Sequence, residues 1–545
     1  MKERNKLKSL PIGVSTFESI ITSNALYVDK TQQIYQLLKP NSRYFLSRPR
    51  RFGKSLTCST LATIFEGRRE LFKDLWIGQS NYTWEKHPVV RFDFSRISHQ
   101  NRESLILGLH SALDNRAQTD EITLSEKQLK EKFAELIKKL AHKHGRVVVI
   151  IDEYDKPITD LIDSPEQAEL VRAELRNFYG TLKGEDVDAV LHFLFVTGVS
   201  KFAKVSLFSE FNNLNDITMD EKFATIVGYT QQEVETYLED HIKQLAEKEQ
   251  ASYEQTLVKL KKWYNGFCFS SEGNQIKTYN PLSLHKCLDS QRFSNYWFAS
   301  GTPNFLVKIF KKEPSTVKNF VAQEAWEITA SGMEAFSPEV YYKKIIPLLL
   351  QTGYLTIKSY DDVERNYTLD YPNYEVRLSM TEQIMEYIAH IPDVMLGKFI
   401  ARFTRALQAD NIDEYCSTFR DYLKLIPHNI VVDREKFFQA TFYGTALLID
   451  THAVVSEVAT DRGFVDIVLH GANKIFVMEF KKDKSPETAL QQIITKKYYE
   501  KYVIEGKQIA LVGINFDLEV DGVDVAWVIK AFLPSMSKQH PFSSA

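Results

Sequence analysis

Between a short strand-like segment, Arg43 to Leu46, and a helical stretch, Leu56 to Phe65, lies Ser47-Arg48-Pro49-Arg50-Arg51-Phe52-Gly53-Lys54-Ser55. Further along, Val147 to Ile151 is an unbroken apolar run that ends in Asp152-Glu153. A strand that delivers a loop to a helix start, followed later by a buried strand ending in acids, calls for a parallel sheet covered on both faces. The intervening pattern agrees. Strand-like segments at Val89 to Phe94 and Leu191 to Thr197 alternate with helical patterns at Leu105 to Leu113 and Glu126 to Ala141, which is the rhythm of an α/β domain.

Such a loop is where phosphate is bound. Backbone amides at a helix start cradle it, Lys54 adds charge at the β/γ oxygens, and the Ser55 hydroxyl is a Mg2+ ligand. Asp152 is expected to complete the Mg2+ shell and Glu153 to orient or deprotonate the attacking water. The bland alternative is that the two acids merely finish a strand or cap a helix; the order strand, Gly-Lys-Ser, helix, apolar run, Asp-Glu favours the chemical reading. Thr197, with Ser200 and Lys201 close behind, is placed either to sense the γ-phosphate or to cap its strand. The candidate nucleotide-binding set is therefore Arg50, Arg51, Phe52, Gly53, Lys54, Ser55, Asp152 and Thr197, with exposed arginines as often solvated as phosphate-bound. The general pattern G-x-x-x-x-G-K-[ST] asks for glycine at 48, where this chain has Arg48.

A second constellation lies near the carboxyl end: Gly463-Phe464-Val465-Asp466-Ile467-Val468-Leu469, then Ile475-Phe476-Val477-Met478-Glu479-Phe480-Lys481. A hairpin turning at Gly471 brings Asp466 and Glu479 together, and Glu479 and Lys481 share one face of a strand. Two carboxylates and an amine are what metal-assisted phosphodiester hydrolysis needs: acids to hold Mg2+ against the phosphate and a cation to steady the developing charge. Oxygen ligands without cysteine favour Mg2+ over Zn2+. A same-face salt bridge between Glu479 and Lys481 is the alternative. Lys481, Lys482, Lys484, Lys496, Lys497 and Lys501 are placed to follow a phosphate backbone or to form solvated faces.

The whole chain, 545 residues, is roughly three to four domains long at ~150 residues each, with 68 Lys and Arg against 71 Asp and Glu, a net charge of −3. No global positive field marks it as a nucleic-acid binder, so any such surface is local. Its 44% hydrophobic content excludes disordered classes, and its four scattered cysteines exclude a disulfide scaffold or a zinc site. His142 and His144 are expected in a loop, without a metal role. The basic amino end meets Pro11, Gly13 and Glu18 before any secretory apolar stretch forms, and no run reaches the ~18–20 residues of a membrane span. A cytoplasmic protein with no membrane partner is expected.

Leu10-Pro11-Ile12-Gly13, Tyr27-Val28-Asp29-Lys30-Thr31, Arg48 to Ser55, Trp263-Tyr264-Asn265-Gly266 and Tyr279-Asn280-Pro281 resemble the AAA-ATPase-like family of bacterial proteins that also carry a carboxy-terminal PD-(D/E)XK nuclease-like domain. The resemblance spans nearly the whole chain and includes Arg48, whose Arg-Pro-Arg-Arg-Phe-Gly-Lys-Ser context is usual in that family. Asp466, Glu479-Phe480-Lys481 and Gln492 resemble the D…(D/E)xK core and following-helix glutamine of the nucleases; Glu457 corresponds to an additional acid and Glu435 to a helical acid at the domain entry. Phe464 departs from the arginine often found there, which bears on phosphate contact at that point.

The resemblance implies ATP and Mg2+ as cofactors and nucleic acid, DNA foremost, as partner. Expected boundaries are 1–220 for the P-loop core, 221–290 for a helical lid opened by the capping box Thr230-Gln231-Gln232-Glu233, 291–400 for a helical or winged-helix-like spacer, and 401–545 for the restriction-endonuclease-like α/β domain. In that domain, strands are expected at Ala446 to Ile449, Val465 to Leu469, Lys474 to Phe480 and Ile509 to Ile514, with a helix near Pro486 to Tyr502. The expected function is ATP hydrolysis coupled to Mg2+-dependent nucleic-acid cleavage. The alternative is a STAND-like nucleotide-gated switch whose nuclease-like domain binds without cutting. Homo-oligomers are open, with Arg172 and Arg176 as candidate trans-acting arginines.

Overall fold

The computed structural model describes residues 7–161, 164–201, 214–271, 276–299, 326–329, 345–389, 393–426, 435–449, 454–460, 463–519 and 522–532. The chain divides into two compact units, one holding the described residues up to 299 and from Trp326 to Arg377, the other those from Leu378 onward. The stretch expected as a spacer, 291–400, is thus shared between them, and its residues 300–325, 330–344 and 390–392 lie outside the described residues.

In the first unit, β1 (Ser42–Ser47), β2 (Val89–Asp93), β3 (Val147–Asp152), β4 (Leu191–Gly198) and β5 (Asn215–Asp216) form a sheet in the order β2-β3-β4-β1-β5. Every pairing is parallel. β3 is buried at every position, which is why its sequence is uniformly apolar rather than alternating. The helix Leu129–His144 buries Leu129, Phe133, Leu136, Ile137 and Leu140, a three-to-four-residue spacing that makes one apolar stripe. It stops at Gly145, whose φ of +86° an L side chain resists. His142 and His144 belong to its last turn rather than to a loop, and His144 faces Asp120 at 3.0 Å.

The capping box at Thr230 and Glu233 forms in both directions, and a second one, Ser252 with Gln255, starts the helix Tyr253–Tyr264. These helices, with Glu239–Glu249 and Pro281–Ser290, enclose a core of Leu238, Ile242, Leu260, Tyr264, Tyr279 and Leu284 that also takes in Leu26 and Val28. The amino-terminal segment is therefore built into this helical cluster. A three-stranded antiparallel sheet in the order β6 (Trp326–Thr329), β8 (Asn366–Asp370), β7 (Thr356–Asp361) takes its first strand from before the helix Ile345–Thr352 and the other two from after it. β8 ends at Asp370, and Asn373 caps the next helix, Tyr374–Ala389, by accepting from Val376 N at 3.0 Å.

The second unit centres on a sheet in the order β13-β12-β11-β10-β9, with β9 (Val454–Thr460), β10 (Gly463–His470), β11 (Lys474–Lys482), β12 (Gln508–Glu519) and β13 (Gly522–Phe532). Only β11 and β12 pair in parallel. Ala446 to Ile449 is the last turn of the helix Glu435–Ile449, not a strand. Phe438, Phe442 and Ala446, four apart and buried, show the helical period that the short run conceals. The expected helix to Tyr502 ends at Lys496, where Lys497 turns left-handed with φ +54°.

Candidate functional site

Gly53 leaves β1's loop at φ +101° and is the N-cap of the helix Lys54–Phe65, which starts with Lys54 and Ser55. The Lys54 amine donates to the carbonyls of Arg48 and Pro49, each at 2.9 Å. Burial pushes this ammonium below its ordinary range, while Glu153, Asp152 and Asp155 pull it back. Because β4 lies between β1 and β3, the end of β3 stands across from the loop. Asp152 is buried there, and among the described residues neither carboxylate oxygen has a hydrogen-bond partner. Burial raises its pKa, opposed by the Ser55 hydroxyl and Lys54. An orphaned buried carboxylate beside a serine hydroxyl and a helix start is a donor set suited to Mg2+.

Glu153 holds φ +54°, a costly conformation for a non-glycine residue that tertiary structure must enforce. Asp155 and Tyr154 do so. Asp155 accepts from Ser200 N and Oγ at 2.8 Å each, and the Tyr154 hydroxyl donates to Ser200 O at 2.9 Å. Burial, offset by Lys54, raises the Glu153 carboxyl. Glu153, Arg50, Arg51, Phe52, Gly53, Lys54 and Ser55 all line one cavity of about 480 Å³, shared with Pro11 to Ser15, Tyr229 and His285.

The rest of the loop is held by its surroundings. Arg48 is buried; its guanidinium donates to Ser47 O at 2.9 Å, Thr218 O at 2.5 Å and Phe223 O at 3.2 Å, and covers the Phe269 ring at 4.3 Å. Phe52 packs edge-on against Phe267 and Phe269, and its carbonyl accepts from Gly228 N at 3.1 Å. Arg50 O accepts from Trp297 Nε1 at 3.3 Å and Asn280 Nδ2 at 3.5 Å. Gly353, at φ +87°, lets Pro49 approach so closely that a Cβ would lie 2.7 Å from its Cγ.

In the second unit, the register that pairs Ile467 with Met478 puts Asp466 opposite Glu479. Asp466 Oδ2 accepts from Phe480 N at 2.8 Å. Lys481 Nζ donates to Glu479 Oε1 at 3.1 Å and to Phe480 O at 2.9 Å, and lies 3.9 Å from Glu435. Gln492 Nε2 donates to the same Glu479 oxygen. It reaches it because Gly513 lets the helix Pro486–Lys496 lie on the sheet: a Cβ there would be 2.1 Å from Pro486 O. Glu479 is buried, and among the described residues its Oε2 has no partner. Burial and the Asp466 charge push its carboxyl up to about 7 against the pull of Lys481. Burial works against the Lys481 ammonium, but Glu479 and Glu435 outweigh it and raise its pKa. Position 457 falls across from 466 in the β9–β10 register; the Glu457 side chain lies outside the described residues.

Residues 11–208 match the family described as predicted AAA-ATPase, and residues 433–523 match the PD-(D/E)XK nuclease superfamily. A protein of Azotobacter chroococcum mcd 1, described as an uncharacterized protein in the vnfD 5′ region, is 34% identical over 540 residues, covering 96% of this chain and 99% of that one. The chain belongs to the AAA-ATPase-like family with a PD-(D/E)XK domain. A solved structure of the Aeropyrum pernix ORC2 protein in ADPNP and ADP complexes aligns over 71% of this chain and 96% of that one, at 12% identity and a TM-score of 0.28, too low to carry an argument.

In this AAA-ATPase-like protein, the structure gathers the loop residues and Glu153 around one cavity with Asp152 beneath. It does not bring Thr197 there. The Thr197 hydroxyl donates to Leu46 O at 2.8 Å, stitching β4 to β1, and Ser200 serves Asp155. Arg172 is paired with Glu169 on its own helix, and Lys482 with Asp483. Sequence reasoning missed Asp93, which ends β2 in register with Asp152 and lines the cavity; its one signal was an acid closing an apolar strand. Among the described residues no helix is long and apolar enough to cross a membrane.

Proposed function

We propose that this protein binds and hydrolyses ATP in its first unit and uses its second for Mg2+-dependent phosphodiester hydrolysis of nucleic acid, DNA foremost, within the cytoplasm. The observation that carries the first half is the convergence of Lys54, Ser55 and Glu153 at one cavity, with the buried Asp152 carboxylate interacting with Ser55 and Lys54. Lys54 exchanges its loop carbonyls for phosphate oxygens, and Glu153, held in its strained turn, positions and deprotonates the attacking water. Ser55 and Asp152 would hold Mg2+, which supplies charge neutralisation at the phosphates.

For the second half, Asp466 and Glu479 would hold Mg2+, with Gln492 fixing one Glu479 oxygen and leaving Oε2 available. Bound there, the ion supplies Lewis acidity toward the scissile phosphate. Lys481, kept charged by its two glutamates, steadies the negative charge that develops on the phosphate.

The test incubates purified protein with labelled single- and double-stranded DNA and RNA in Mg2+, with and without ATP, beside Lys54→Ala, Lys481→Ala and Asp466→Ala. Lys54→Ala is expected to lose ATP turnover; Lys481→Ala and Asp466→Ala are expected to lose cleavage and keep turnover. Cleavage retained by Asp466→Ala refutes the ligand assignment. No cleavage of any substrate, with tight nucleotide retention, would replace this reading by a nucleotide-gated switch.

A further inference from the structure

The helix Pro281–Ser290 starts beside the phosphate loop, where Asn280 contacts the Arg50 carbonyl. His285 follows five positions later, about 7 Å up the axis at ~1.5 Å per residue, and lines the same cavity. Its side chain is 4% exposed and packs obliquely on Tyr229, with ring centroids 5.4 Å apart. Among the described residues its Nε2 has no hydrogen-bond partner. The cavity lining also includes the apolar Pro11, Ile12, Val28 and Leu282. A buried polar nitrogen without a partner carries a free-energy cost until something pairs with it.

We propose that His285 is the specificity-determining residue for the nucleotide's base: its Nε2 pairs with the hydrogen-bonding edge of a purine while the loop holds the phosphates. The inference rests on the nucleotide reading of the cavity. Burial, with His241 adding to it, keeps this imidazole neutral by pushing its pKa down to about 3. A neutral ring is a poor phosphate ligand. It suits a heterocycle edge, since each ring nitrogen in a fixed tautomer either donates or accepts. Adenine and guanine present opposite hydrogen-bonding character at position 6, so one tautomer accepts one purine and opposes the other.

The experiment measures equilibrium binding of ATP, GTP, 7-deaza-ATP, purine riboside triphosphate and inorganic tripolyphosphate to the full chain and to His285→Phe, His285→Gln and Lys54→Ala. The wild-type chain should prefer one of ATP and GTP by about tenfold or more, and at least one of the two base-edge deletions should weaken binding by a similar factor, as expected for one lost buried pairing. His285→Phe should bring the purines to within about threefold of each other and leave tripolyphosphate affinity unchanged; Lys54→Ala should weaken all ligands. A preference that survives in His285→Phe overturns the inference. So does a wild-type chain that binds all four triphosphates equally, a result that needs no variant to fold. His285→Gln, which keeps a donor and an acceptor, should retain more of the preference than His285→Phe. A wild-type chain that binds no nucleotide fails the cavity reading itself, which is a distinct outcome.

Discussion

Replacing Arg48 by glycine would restore the residue that the general phosphate-loop pattern asks for, and the structure predicts that it damages the protein. The guanidinium joins the end of β1 to Thr218 O at 2.5 Å and Phe223 O at 3.2 Å, and it covers Phe269. Two charge-assisted bonds at ~1.5–3 kcal/mol each and a buried cation–π contact of ~1–2 kcal/mol are offset by several kcal/mol of relieved guanidinium burial. The net loss is about 3 kcal/mol, with two carbonyls left unpaired. In a calorimetric or dye-monitored melt of the full chain, Arg48→Gly should lower the first transition by roughly 6–12 °C, at ~2–4 °C per kcal/mol, and weaken nucleotide binding. Arg48→Lys should fall between, because an ammonium cannot span both carbonyls while stacking on a ring. An Arg48→Gly chain that melts with the wild type, or binds nucleotide better, refutes the pin.

Gly353→Ala should cost about 1–3 kcal/mol and weaken nucleotide affinity, because the new Cβ meets Pro49 at a φ of +87°; melting and nucleotide titration check both. Glu375 is buried, accepts from Tyr296 N and Trp297 N at 2.7 and 2.8 Å, and is raised to about 7, chiefly by burial. Its folded-state pKa lies above the ordinary 4.5, so the stability it contributes is full below pH ~4.5 and falls as pH rises towards 7. Glu375→Gln should therefore melt progressively higher than wild type across that window, up to a ceiling of about 3 kcal/mol; a pH-independent difference refutes this. Gly513→Ala should push the helix Pro486–Lys496 off the sheet, separate Gln492 from Glu479 and cut nuclease activity at least tenfold, with ATP turnover kept; cleavage at the wild-type rate refutes it.

The parallel sheet and the capped helix start at Thr230 were legible because their signals are local. β3 must be apolar on both faces, and the Thr230 box repeats its own geometry in four residues. Ala446 to Ile449 was misread because four consecutive apolar residues carry no period; only the distant Phe438 and Phe442 reveal it. Thr197 shows the limit of position without geometry: it stands at a strand end as expected, yet its hydroxyl is taken by the adjacent strand. Arg48 was legible as a departure from a pattern but not as a pin, since its partners at 218, 223 and 269 are remote in sequence. The nuclease-like cluster was read from its short D…ExK spacing, whereas the role of Gly513 in seating Gln492 depends on a helix–sheet distance that no spacing encodes.

The strand order also sets when the phosphate site can exist during synthesis. β1 and β3 never touch as neighbours; each is hydrogen-bonded to β4, which is the later in sequence. A chain emerging from the ribosome therefore carries the loop and both acids well before it can bring them together, and convergence waits until Gly198 is free to insert between the two halves. Nascent fragments that end before that point have no nucleotide to gain stability from, so ligand-assisted folding begins only once the middle strand arrives.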